Sequence, residues 1–306
     1  MQRLLPCMIF SVLLVISVSG QAQETPKLEG VSVKAAVDLK DGIYSYTYSL
    51  SNGATSTGQI WTWTLDLEQP QGGLVLSVER LVNGPGYHQE TSRLNLTDPA
   101  VPKMVPAGHF SPPNWGGGLT AQGQASWGSD DAEFRILPGH SLSGFKLMSH
   151  GLPGLRKFRI DPKFLLQVDE STIKTEEDIE KTLERQSQIQ DEIAVFGITI
   201  GPTAPPAQFV ALDFVSYIID FKHQASALGW ITNKGVENSL DVKLDQVKKK
   251  LEVGDTKTAS NVLKAFINEV SAQGCPKYEG CPSGKHLLPE AWALLKFNAE
   301  YLLGKL

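Results

Sequence analysis

The sequence is short of positive charge, of cysteine and of clustered histidine, and each shortage removes a class of activity. Lys and Arg number 28 against 33 Asp and Glu, a formal net charge of -5 over 306 residues, so the basic excess that binding a phosphate backbone requires is missing. Nucleic acid is not an expected partner. The six histidines, at positions 88, 109, 140, 150, 223 and 286, stand singly, with no H-E-x-x-H and no pair at helical spacing. That pattern supports neither a zinc hydrolase nor a cofactor, and each histidine reads as a surface or hydrogen-bonded loop residue. Three cysteines occur, and Cys7 lies inside an N-terminal apolar run with no lipidation signal before it.

Residues 1–22 read as a secretory signal peptide. Arg3 is the only charged side chain before the apolar stretch Leu4 to Val18, and Gly20 and Ala22 offer small residues for cleavage. At about 15 residues the stretch falls short of the roughly 20 that a helix needs to cross a bilayer. A secreted or periplasmic protein with no stable membrane insertion after cleavage is expected. Cleavage leaves Cys275 and Cys281, in CPKYEGC, in a compartment that permits oxidation. One local disulfide, worth roughly 2 kcal/mol in the chain-entropy model, is the expectation; a metal pair is the alternative, with His286 nearby in sequence.

Between Val31 and Ile160 apolar and polar residues alternate with a period of two, broken by Gly, Pro, Asn and Asp. The spacing predicts strands near 31–37, 42–50, 58–67, 74–81, 119–127, 132–137, 142–149 and 155–160, an antiparallel β-sandwich of Ig-like or carbohydrate-binding-like type over 28–200. Tyr44, Tyr46, Tyr48 and Leu50 share one face of the second strand, and Trp61, Trp63 and Leu65 share one face of the third; both rows read as core. Ser51 to Gly58 reads as the long connection of a hairpin between those two strands. Asn83 to Gly118, with NGPG, DPAVP and SPPNWGGG, reads as a long surface excursion, the first place to look for a ligand. A charged helical insertion is expected near 170–192, where nine acidic residues face three basic ones between Asp169 and Glu192; a solvated helix is one reading and an acidic calcium site the other, without a D-x-D-x-D-G loop. Ala194 to Ile200 reads as a buried strand returning to the sandwich. Residues 201–208, containing PTAPPA, read as a Pro-rich linker.

After the linker the apolar period becomes 3.6, and residues 209–306 read as a four-helix bundle. Phe209 to Leu228 carries Leu212, Val215, Tyr217, Ile219 and Ala225 around a central helix. In the next helix Val236, Leu240, Leu244, Val247 and Leu251 form one stripe, with Lys248 to Lys250 near its C-terminus, where positive charge is favourable. Gly254 suits a helix stop and Asp255 or Thr256 a cap, before Ala259, Val262, Leu263, Phe266, Ile267 and Val270. Gly274 ends that helix, and Leu288-Pro289-Glu290 begins the last, with Leu294, Leu295, Tyr301 and Leu302 apolar. The fold class expected is thus α+β in two segregated parts.

Three blocks of this C-terminal region, GWITNKGVENSLDVKL, GDTKTA and LKAFINEVSAQ, followed by AWALLKFNAEYL, resemble the FIMAH-type helical module found near the C-termini of exported bacterial proteins. The resemblance covers about a quarter of the chain. It implies a bacterial exported protein built from modules, and it carries over no catalytic residue. YSYTYSLSN, SPPNW and LPGHSLSGF resemble, more loosely, β-sandwich regions of other exported bacterial proteins.

Catalytic motifs are incomplete. Gly139-His140-Ser141-Leu142-Ser143-Gly144 approaches G-x-S-x-G but has Ser143 where the second glycine of the motif belongs, and strand alternation continues where a helix should follow. Asp130 and Asp131, beside Trp127, are the best adjacent carboxylates for glycoside chemistry, but neighbours on a strand face opposite ways and a turn is the other reading. Trp115 and Trp127, next to glycines, are candidates for stacking on sugar faces, or for packing over a Pro-rich loop. The expected function is a non-catalytic adhesion, matrix or envelope interaction module, with polysaccharide or an envelope or extracellular protein as partner. Alternatives are an accessory carbohydrate-binding protein using the sandwich loops and a hydrolase with dispersed carboxylates.

Overall fold

The computed structural model describes residues 24–67, 78–79, 107–119, 123–168 and 172–306. The expected signal peptide, most of the strand near 74–81 and most of Asn83 to Gly118 lie outside the described residues. The N-terminal half contains two sheets and the C-terminal half five helices, an α+β arrangement. The strands are β1 (Ser32–Lys40), β2 (Ile43–Ser51), β3 (Ile60–Asp66), β4 (Val78–Glu79), β5 (Ala107–Phe110), β6 (Gly116–Leu119), β7 (Gln124–Gly128), β8 (Ser141–Ser149), β9 (Leu152–Pro162) and β10 (Val195–Thr203). One sheet has the order β1-β2-β8-β5-β4 and the other β10-β9-β3-β7-β6. Pairing is antiparallel except between β4 and β5.

Strands β1 and β2 form a hairpin through Asp41 and Gly42, both at positive φ, the conformation that a two-residue turn needs to match strand twist. The hairpin expected between β2 and β3 does not form. These strands lie in different sheets, and residues 52–59 cross between them, fixed by Asn52 Nδ2, which donates to Gly58 O and Ile136 O at 2.9 Å each. The inward faces then meet. Tyr48 and Phe145 of the first sheet stand edge-on to Trp63 of the second at 5.3 and 5.5 Å, and Trp63 stacks on Trp127 at 4.3 Å. Tyr46, Tyr48 and Leu50 enter this core as expected while Tyr44 is only partly buried, and the tryptophan row is split: a register shift between Ile60 and Thr62 turns Ile60 inward and leaves Trp61 half-buried under Lys163 Nζ, 3.7 Å from its ring centre. A bulge inverts the alternation on either side of it.

Four other expectations change. Residues 107–110 and 116–118, read as loop, are strand, while 132–137 is a 3₁₀ turn (Ala132–Phe134) with one bridge from Ile136 to Ile60. The strand β10 is an edge strand with Phe196 exposed. It also runs through Gly201 and Pro202, so the linker does not begin there; an edge tolerates the donor that Pro202 lacks.

The helices are α1 (Glu176–Ile193), α2 (Ala211–Ala227), α3 (Lys234–Glu252), α4 (Thr256–Gln273) and α5 (Pro289–Leu303). In α3 the residues Val236, Leu240, Leu244 and Val247 are buried, and in α4 Ala259, Leu263, Phe266 and Val270. Between them Gly254 sits at φ +73 and Asp255 accepts from Thr258 N, as the pattern predicts. Helix α2 turns Phe214, Val215, Ile218 and Phe221 inward, while Tyr217 is exposed. Its Lys222 is fully buried, a cost met by Asp241 at 2.6 Å and Glu237 at 3.5 Å on α3. Cys275 and Cys281 form the expected disulfide, with Cα atoms 5.7 Å apart. Among the described residues no helix is long and apolar enough to cross a membrane.

Candidate functional site

Both tryptophans expected to bind are inside the protein. Trp115 is 3% exposed, donates from Nε1 to Phe134 O (2.8 Å) and meets Phe145 edge-on. Trp127 is 1% exposed, donates to Phe110 O (2.9 Å) and stacks on Trp63 and on the buried His109. Neither offers a face to a ligand. The neighbouring glycines had suggested an exposed loop, but two of them serve close packing: a Cβ on Gly117 would collide with Ser126 O and one on Gly128 would crowd Thr62. His109, read as a loop residue, lies on β5, and its Nε2 donates to Ser126 O at 3.0 Å. Asp130 and Asp131 are exposed in the turn after β7. The Asp131 carboxylate accepts from Glu133 N, and Arg135 Nη2 reaches Asp130 O. Ser141 and Ser143 pair with Ser51 and Ser49 across β8 and β2.

The geometry directs attention instead to the seam between sheets and helices. Helix α5 places Glu290, Leu294 and Asn298 on one face, at steps of four. Glu290, buried in the first turn, accepts from Ala35 N on the edge strand β1 (2.7 Å) and from Tyr278 Oη in the disulfide loop (2.7 Å). Burial lifts its carboxyl above the usual glutamate range, against the opposing hydrogen bonds and the Lys34 charge. Burial, and then the Glu290 charge, likewise push the Tyr278 hydroxyl well up. Phe297 meets Tyr44 edge-on at 5.3 Å. Two turns along α5 from Glu290, Asn298 donates from Nδ2 to Pro153 O (2.8 Å) on β9 and to Leu294 O (2.7 Å).

Beside Asn298 the seam opens into a cavity of about 320 Å³. Its walls come from the start of β9, the end of β10 with the following proline segment, and the first two turns of α2. Arg156, buried on β9, holds the β10 wall by donating to Pro202 O and to Thr203 Oγ1 at 2.8 Å each. A Cβ on Gly154 would strike Thr203, so this close approach requires glycine. Leu152, Pro153, Ala204, Val210 and Phe214 make the lining largely apolar, with Asn298, Thr203, Gln208, Asp213 and the hydroxyl-bearing Tyr217 as its polar members. Such a concave, mostly apolar space with few polar groups is the usual form of a small-molecule site, at the small end of the range of about 300–1,000 Å³. Asn298 and Glu290 look like solvent-facing helix positions in the sequence. Their signal is their spacing: each lies four residues from Leu294, on the buried face.

No protein-family model matches the chain, and no curated protein is significantly similar to it.

Proposed function

We propose that this chain is an exported, non-catalytic binding protein, with a β-sandwich and a four-helix bundle resembling the FIMAH-type module, that acts in adhesion, matrix or envelope interaction by holding a small molecule at the junction of its two parts. The observation that carries this reading is the cavity beside Asn298: it is walled by both parts, and its lining combines an apolar surface with a few fixed polar groups. Among the described residues, that lining holds no histidine, serine or cysteine, the side chains from which a nucleophile and base for acyl transfer are most often built. The burial of Trp115 and Trp127 removes the rings through which the sandwich loops were expected to hold sugar. The full secreted chain should bind small amphipathic molecules saturably in a thermal-shift and calorimetric screen, rising in melting temperature by mass action. It should turn over no member of a glycan and ester panel. Turnover that follows the protein through extensive purification would overturn the non-catalytic reading.

A further inference from the structure

Apart from its disulfide, the loop between α4 and α5 is bonded to the body of the protein through one side chain. Residues 276, 277 and 279–284 are exposed and, among the described residues, make no hydrogen bond outside the loop. Tyr278 turns inward: its hydroxyl donates to Glu290 Oε2 at 2.7 Å, and its ring lies under Lys34 Nζ at 4.9 Å. The other oxygen of Glu290 accepts from Ala35 N on the edge strand β1. Disulfide, Tyr278, Glu290 and Ala35 therefore form one continuous connection from the loop through α5 to the sheet. What keeps Tyr278 in place is the size of the covalent ring. With the sulfurs joined it sits midway between Cys275 and Cys281, three residues from each. With the sulfurs apart, the nearest backbone anchors are Gly274 N, which donates to Val270 O, and His286 N, which donates to Gln273 O, leaving residues 275–285 between them. Ordering the backbone costs about as much per residue as one ordinary hydrogen bond returns. One hydrogen bond and one ring contact do not hold a segment of that length.

The two cysteines differ in access, Cys281 being exposed and Cys275 buried at 4%. A dithiol reductant is thus directed to Cys281 Sγ: its thiolate forms a mixed disulfide there and expels Cys275 as a thiolate, which takes a proton from solvent. The second thiol of the reductant then closes on the first, releasing Cys281 as a thiol and leaving the reductant as a cyclic disulfide. Two electrons pass from reductant to protein. Helix α5 keeps its buried face throughout, since that face packs on β1, β9, α2 and α4 and not on the loop. We propose that Cys275 and Cys281 form a redox latch: closed, the disulfide fastens α5 to the edge of β1 through Tyr278 and Glu290; opened by a dithiol, it frees that edge while the rest of the fold stands.

Amide exchange, followed residue by residue in the full secreted chain before and after dithiothreitol, tests this. Reduction is expected to speed exchange at Ala35 about fivefold, the worth of one ordinary hydrogen bond, and to leave the amides of β8 and β9 unchanged. Tyr278→Phe in the oxidised protein should speed Ala35 by a similar factor. Reducing that variant should then add nothing at Ala35, because both changes break the same connection. The doubly substituted chain, Cys275→Ser with Cys281→Ser, should exchange like the reduced wild type without any reductant present. Exchange at Ala35 that does not respond to reduction or to Tyr278→Phe, or that responds to the two additively, overturns the latch. Faster exchange throughout the sheets and helices on reduction overturns it as well, since the bond would then support the whole fold and not one edge.

Discussion

Helices α1 and α5 are similar in length, 18 and 15 residues, and opposite in what holds them. Among the described residues α1 buries no side chain at all, whereas α5 buries ten. The first is built from local signals. Thr175 and Asp178 form a reciprocal capping box, three acidic residues occupy the first turn and Lys181 pairs with Glu177. Its attachment to the sheet is polar: Gln186 bridges Phe164 O and Leu166 N, Gln190 reaches Pro162 O, and Arg159 binds Asp191. Helix α5 has no side-chain cap, and its local start signal is Pro289 in the first turn. It exists because its faces fill the space between β1, β9, α2 and α4. One helix is specified locally and merely laid on the protein, and the other is specified by its neighbours and joins both halves.

That contrast predicts a steep gradient of mutational effects. Leu294→Ala in α5, at a fully buried position, should cost about 2–5 kcal/mol and lower the denaturant midpoint of the whole protein. The matching change in α1, Leu183→Ala at 44% exposure, should stay within about 0.5 kcal/mol. Comparable losses at the two sites would remove the distinction.

Glu290 sharpens it next. Glu290→Ala strands Ala35 N and Tyr278 Oη and should cost about 2 kcal/mol, while Glu290→Gln keeps an acceptor for Ala35 N and should cost less. The pH dependence has a definite sign. Because burial raises the carboxyl in the folded state, the fold holds that proton more tightly than the unfolded chain does. The contribution is fully present below the ordinary glutamate pKa and is lost as pH rises through the raised value. Urea titrations should therefore show the stability of the wild type, relative to Glu290→Gln, falling across that window and flat on either side. A rise there would mean that the hydrogen bonds outweigh the burial.

The capping box gives a smaller effect than Glu290→Ala, confined to one helix. Thr175→Ala should cost about 1 kcal/mol, visible as faster amide exchange confined to α1 with the global unfolding midpoint unchanged. Faster exchange spreading into β9 would show that the polar attachment couples helix and sheet more tightly than its contacts suggest.

Much of the helical half was legible because its signals are local. The stripe from Val236 to Val247, the stop at Gly254, the cap at Asp255 and the disulfide in CPKYEGC each depend on residues a few positions apart. In the sheets the faces of β2 were legible and its partners were not, since alternation reports which side of a strand is apolar and is silent on which strand lies beside it. The same limit misplaced Trp61, where a one-residue bulge inverts the pattern, and Trp115 and Trp127, whose flanking glycines resemble a loop and serve close strand packing. Glu290 and Asn298 carry the seam, yet a polar residue in a helix reads as solvated until something apolar is packed around it.

By itself the sequence determined the division into a strand-rich half and a helical half, the apolar faces of most elements and the one cross-link, all set by periods of two and 3.6 and by caps, turns and cysteines close along the chain. The tertiary structure alone decided which strands pair, that α5 closes over the edge of β1 and the start of β9, and that Asn298 stands beside a cavity with an acceptor unserved. Those outcomes depend on surfaces brought together from more than a hundred residues apart, Asn298 with Pro153 and Glu290 with Ala35, where burial and not local propensity fixes what each polar group must find.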